Sequence, residues 1–314
     1  MKRLISCCLL MLTSTAMLSA AQAAEPESCK NVRLGVVNWT DVMATSAMTQ
    51  VLLDGLGYET KQTSASQQII FAGIRDQRLD LFLGYWNPLM TQTITPFVEQ
   101  QQVKVLAEPS LKDARATLAV PTYLADKGLK SFADIARFKK ELGGKIYGIE
   151  PGSGANKQIK DMIAKNQFGL GGFQLVESSE AGMLSAVTRA TQRNEAIVFF
   201  GWAPHPMNVN LKMTYLSGSD GALGPNEGMA TVWTVTAPDY ASRCPNVDKL
   251  LTNLTFSAED ESRMMQPLLD HKDALESAKA WLKAHPEDQK RWLAGVTTFD
   301  GKPAEQNLQL TTNP

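Results

Sequence analysis

The sequence predicts an α/β fold in which parallel or mixed sheets carry helices on both faces. Three features point to it. Apolar runs of strand length recur along the chain, helical periodicity fills the intervals between them, and each run gives way to a turn rich in Trp, Pro or Gly. In chain order, the first strand is 32–37, Val-Arg-Leu-Gly-Val-Val. A helix follows over 44–56, with Met48, Leu52 and Leu56 on one face and Gly57 as its stop. A short helix at 69–76 leads into a second buried strand at 79–85. Ser131-Phe132-Ala133-Asp134 has the capping-box spacing of a helix start. Two further strands are expected at 145–150 and 196–200, with helices at 153–166 and 181–194 between them. The C-terminal part, from about 259 to 293, is mostly helical, with Trp281 and Trp292 as packing anchors. Neither an internal repeat nor a low-complexity segment interrupts the pattern. A chain of 314 residues is compatible with one large domain or two smaller ones.

Residues 1–23 stand apart from this fold. A basic start at Lys2-Arg3, an apolar run from Leu4 to Leu18 and the small-residue triplet Ala21-Gln22-Ala23 follow the order of a secretory signal peptide. The apolar part is too short to span a bilayer, so export is the expectation rather than anchoring. Lys2 and Arg3 account for two of the 31 basic residues, which leaves 29 against 32 acidic ones after cleavage. That near-neutral balance argues against a nucleic-acid partner. Cys7 and Cys8 depart with the signal and leave Cys29 and Cys244. In an exported protein the simplest outcome is one disulfide between them. Two free thiols or a metal site are the alternatives, and two cysteines without clustered histidines make a poor metal site.

Open parallel sheets bind ligands beyond the carboxyl ends of their strands, so the residues that follow each strand carry the functional information. They read Asn38-Trp39-Thr40-Asp41, Gly84-Tyr85-Trp86-Asn87-Pro88, Glu150-Pro151-Gly152-Ser153-Gly154-Ala155-Asn156 and Gly201-Trp202-Ala203-Pro204-His205. Three of the four deliver a tryptophan. A single such Trp would be a lid on the core, but three suggest converging indole faces. Those faces attract a cation that has no hydrogen-bond donors of its own, at about 0.5–2 kcal/mol per contact. Asp41 would supply the negative charge. Sugars also stack on aromatics, but they need several polar side chains beside each ring, and few are offered. The turn at 151–156 lacks both phosphate-loop spacings, although its amides at a helix N-terminus suit a carboxylate or hydroxyl. Among the histidines, His271 and His285 fall in a polar helical region. His205 lies near the proposed site without a nucleophile to serve. No GxSxG, HExxH or CxxC is present, so the expectation is a binder that needs no metal or cofactor, not an enzyme.

These four stretches, with Asp80-Leu81-Phe82-Leu83 before the second, Gly148-Ile149 before the third and Phe200 and Pro206-Met207-Asn208 around the fourth, resemble the periplasmic choline-binding proteins of quaternary-ammonium ABC transporters. That family lies within the broader glycine betaine-binding group. The resemblance implies a two-lobed Venus-flytrap fold of the second topological class, with the ligand closed between the lobes. One lobe would comprise 24–111 and 212–314, the other 112–211. It implies an aromatic box for the trimethylammonium group, matched here by Trp39, Trp86 and Trp202, with Asp41 as the acid. It implies a monomer in the periplasm that delivers choline, carnitine or glycine betaine to a membrane permease. A ligand sensor for a membrane receptor is the alternative role. Two positions depart from the family pattern. Ala116 stands where a fourth aromatic, a Tyr, is expected, with Arg115 beside it. Ser153 stands where a stronger hydrogen-bonding residue is expected, near Asn156. Either Arg115 turns inward to pair with a ligand carboxylate, or it faces away and Tyr123 or Tyr85 completes the box.

Overall fold

The computed structural model describes residues 24–219 and 221–308; the export segment at 1–23 lies outside them. Ten strands form one mixed sheet: β1 (Asn31–Val36), β2 (Glu59–Ser64), β3 (Leu81–Asn87), β4 (Lys104–Val105), β5 (Leu111–Pro121), β6 (Lys145–Tyr147), β7 (Gln174–Val176), β8 (Phe199–Ala203), β9 (Met213–Tyr215) and β10 (Met229–Thr236). Their order is β2-β1-β3-β10-β5-β8-β6-β7, with β4 beside β10 and β9 beside β5. At each end the pairing is parallel, as strand–helix alternation predicts: β1 with β2 and β3, and β6 with β7 and β8. In the middle it is antiparallel, because β10 runs against β3 and β5, and β5 runs against β8. The long β5 links the two ends. Its first half pairs with β10 (Ala114 opposite Ala230), its second half with β8 (Ala116 opposite Trp202), and its tip with β9.

Two strands run further than the sequence suggested. β3 continues through Trp86 to Asn87, and β8 through Trp202 to Ala203. Trp202 is therefore a strand residue, two positions beyond the expected strand end. Each strand stops only where a proline, which has no N–H for the ladder, follows it at 88 and 204. Both of those X–Pro bonds are cis. The expected strand at 145–150 is shorter, ending at Tyr147. β2 escaped prediction because Glu-Thr-Lys-Gln-Thr-Ser is polar on both faces. It exists as an edge strand through its full ladder with β1.

The helix Thr40–Gly55 starts four residues earlier than its apolar face predicts and is buried nearly all round. It packs between the sheet and the helices Ala258–Leu269 and Ala274–Ala284. Its approach to β3 is so close that a Cβ on Gly84 would lie 2.4 Å from Val42 Cγ2, so only glycine fits there. The capping box at Ser131 and Asp134 is present. Cys29 and Cys244 are joined by a disulfide, which ties the start of β1 to the chain after β10. No helix of the described residues is long and apolar enough to cross a membrane.

Candidate functional site

The described sheet places the C-terminal ends of β1, β3, β6 and β8 around one small cavity. Trp39 follows β1 and Trp86 ends β3. Trp202 lies across β8, directly opposite Ala116 of β5, and Ser153 and Gly154 begin the helix Gly154–Ala164 beyond β6. All of these residues, with Asp41, line the cavity. The walls are otherwise apolar, and no lysine or arginine is among them.

Two of the three indole N–H groups are taken up by carboxylates. Trp86 Nε1 donates to Asp41 Oδ2 at 2.8 Å, and Trp39 Nε1 donates to Glu150 Oε2 at 3.0 Å. Each of these two rings is thereby held in place by an acid. Trp202 is stacked on Phe200, with ring centroids 5.6 Å apart at 29°, and meets the His205 ring edge-on at 4.9 Å. Phe200 lines the cavity as well, since two residues along a strand return to the same face. The fourth aromatic wall is therefore Phe200. Neither alternative takes that place: the Tyr123 hydroxyl donates to the Glu195 carbonyl, and Tyr85 faces Asn87 and Thr91 on the other side of β3.

Arg115 does not reach the cavity. Alternation along β5 turns it to the face opposite Ala116, where its guanidinium lies 5.6 Å from the centre of the Tyr215 ring. Of the two orientations the sequence left open, Arg115 has the outward one. Asn156 also acts behind the wall. Its Nδ2 donates to the carbonyls of Ile149 and Glu150, and its Oδ1 accepts from Ile149 N–H at 3.0 Å. That clamp fixes the turn that carries Glu150. Ser153 caps the helix Gly154–Ala164, its Oγ accepting from Asn156 N–H. His205 is 1% exposed and lies outside the lining. Its Nδ1 accepts from Met207 N–H at 2.9 Å, which leaves the proton on Nε2, facing Glu180 Oε1 at 3.2 Å.

The electrostatics are one-sided. Asp41 is 3% exposed. Burial, and then the nearby Glu180 charge, push its carboxyl up to about 6. Its Oδ1 has no hydrogen-bond partner among the described residues. Burial also raises Glu150, against the lowering effect of the Trp39 hydrogen bond. Glu261, buried in the helix Ala258–Leu269, is held well above its ordinary value by burial and by Asp41. Several acids thus gather around an apolar cavity that Asp41 alone of them lines, and Asp41 Oδ1 is left without a partner. The site suits a compact organic cation that is weakly hydrated and poor in hydrogen-bond donors. Sequence reasoning missed Phe200, Glu150 and Glu180. The i, i+2 spacing of Phe200 and Trp202 was the available signal for the first. A Glu in a turn and a Glu opening a helix carry no local signal of their own.

The model of the substrate binding domain of the ABC-type glycine betaine transport system matches residues 30–284. A solved ABC-transporter choline binding protein in complex with choline is 47% identical. The match covers 90% of this chain and 98% of that one, with a TM-score of 0.87. A choline binding protein in an unliganded semi-closed conformation, with the same identity and coverage, gives 0.82. The glycine betaine/carnitine transport binding protein GbuC of Listeria monocytogenes is 30% identical over 167 residues, 52% of this chain and about half (55%) of that protein.

Proposed function

This chain belongs to the family of substrate-binding domains of ABC-type glycine betaine transport systems, and from that premise we propose that it captures a choline-like quaternary ammonium compound between two lobes. The observation that carries the choice of ligand is the unpartnered Asp41 Oδ1 in an apolar cavity lined by no lysine or arginine. A trimethylammonium group fits against Trp39, Trp86, Trp202 and Phe200, and a ligand hydroxyl donates to Asp41 Oδ1. Carnitine and glycine betaine would set a carboxylate in the same cavity as Asp41 with no lysine or arginine to meet it, and an unpaired buried charge costs several kcal/mol. An oligosaccharide is disfavoured by the small cavity and by its few polar side chains.

Capture proceeds by closure. We place the first lobe in residues 24–111 together with the C-terminal part, and the second from 112 onward. The pairing of β9 with the tip of β5 supports a return to the first lobe after about 217, rather than at 212. The first lobe then supplies Trp39, Asp41 and Trp86, and the second supplies Trp202, Phe200 and Ser153. The ligand touches both lobes and so favours the closed arrangement. The higher TM-score to the choline complex than to the semi-closed form supports reading this structure as closed. The closed protein would deliver its cargo to a membrane permease. The sequence signal at 1–23 and the disulfide both support an oxidising, periplasmic location.

Calorimetric titration of the ligand-stripped mature chain with choline, carnitine, glycine betaine and proline tests this. Choline should bind at least about tenfold more tightly than either carboxylate-bearing compound. Equal or tighter binding of carnitine would refute the choice of ligand, and heat from none of them would end the quaternary-ammonium reading.

A further inference from the structure

We propose that Glu180 is a closing latch, which caps the helix Thr40–Gly55 from the opposite lobe and holds the protein shut on its ligand. This rests on the two-lobe capture reading above. The first amides of a helix have no partners within it. At this helix the N-cap residue is Trp39, whose side chain supplies no acceptor, and no cap hydrogen bond comes from it. The acceptor comes instead from Glu180, 140 residues away in sequence and beyond β7 at the other end of the sheet. Its Oε2 accepts from Thr40 N–H at 3.0 Å, and its Oε1 accepts from the Thr40 hydroxyl and from His205 Nε2–H. A carboxylate at a helix N-terminus is also favoured by the helix dipole.

Glu180 is 4% exposed, so these donors are what make its burial tolerable. Two of the three come from the first lobe and vanish on opening. His205, fixed by Met207 N–H, stays with Glu180 in the second lobe. The latch also acts at the right place, because Thr40 sits between the wall residue Trp39 and the acid Asp41. Glu150 grips the adjacent residue across the same cleft through the Trp39 indole. Glu180 does not line the cavity. It is a positioning residue, and its contribution belongs to the closed state rather than to any particular ligand.

The test uses the mature chain with choline and tetramethylammonium as probes. Dissociation rates are measured by stopped-flow tryptophan fluorescence for the parent, Glu180→Gln, Thr40→Ala and the double variant. Glu180→Gln is expected to speed release about 10- to 100-fold, the range for a lost hydrogen bond to a charged group, and by the same factor for both probes. Thr40→Ala should speed release by a smaller factor. The double variant should match Glu180→Gln within about twofold, because the two residues share one interaction. The melting temperature of the ligand-free variants should equal the parent's, since the open form does not make the cap; a merely structural residue would lower it. The latch is overturned if Thr40→Ala releases ligand at the parent rate, which would leave Glu180 acting through its charge alone. It is equally overturned if the two losses simply add or if ligand-free melting falls. A parent that binds neither probe overturns the binding reading itself, an outcome distinct from a parent that binds while its variants release normally.

Discussion

Gly154→Ala tests closure with a single carbon. Gly154 opens the helix Gly154–Ala164 on the wall of the cavity. A Cβ built on it lies 2.2 Å from the Leu89 carbonyl oxygen and 2.7 Å from its carbonyl carbon. Both are backbone atoms, anchored just past the end of β3. Ordinary contact begins near 3.5 Å, so the two sides must part by about 1.3 Å. The Trp39–Glu150 and Thr40–Glu180 hydrogen bonds, both at 3.0 Å, cross the same cleft and would stretch beyond bonding distance. Two charge-assisted bonds weakened together should cost about 2–4 kcal/mol, or roughly 30- to 1000-fold in Kd. The fold itself should not suffer. Alanine is preferred to glycine in a helix by about 1 kcal/mol, so the melting temperature without ligand should hold or rise. Titration calorimetry and thermal melting of the same variant separate the two effects. A Kd within about threefold of the parent would refute the reasoning, because the 89–154 approach could then be no part of the bound state.

Other expectations concern the cage, its acid and the disulfide. Trp202→Ala should weaken choline binding about 2- to 30-fold, as one cation–π wall is lost. Trp86→Ala should do more, because it also strips Asp41 of the indole hydrogen bond; equal Kd values for both variants and the parent in a fluorescence titration would refute the cage. Asp41 titrates near 6 in the closed site, against an ordinary value of 3.8. The closed form without ligand therefore takes up a proton as pH falls between those values and is stabilised by it, whereas cation affinity is full above about 6 and falls by up to tenfold per unit below. Affinity that is flat from pH 8 to 5 would contradict this. Reduction of the Cys29–Cys244 bridge should remove about 2–5 kcal/mol of stability and lower the melting temperature while leaving ligand affinity in place, since neither cysteine lines the cavity.

The parts of this protein legible in its sequence are those whose cause is local. Met48, Leu52 and Leu56 announce a helix, and the apolar run before Trp86 announces a strand. Three Trp residues at strand ends announce a cage because the rule for parallel sheets gives those positions a common direction. The unpredicted parts depend on partners distant in sequence. β2 is a strand only because β1 offers it a ladder. Arg115 faces away because β5, pinned between β10 and β8, fixes which side chains alternate inward. Glu180 is an ordinary first-turn acid until the fold sets it against Thr40.

The bond between Cys29 and Cys244 closes a covalent ring of the chain, with a sequence separation of 215. Trp39, Asp41, Trp86, Glu150, Glu180 and Trp202 all lie inside that ring. A protease cut anywhere within it leaves both pieces attached, so a nicked molecule runs close to the intact one on a non-reducing gel. Preparations judged whole by that criterion can hold molecules cut between one wall of the cage and the next, and only reduction before electrophoresis reveals them.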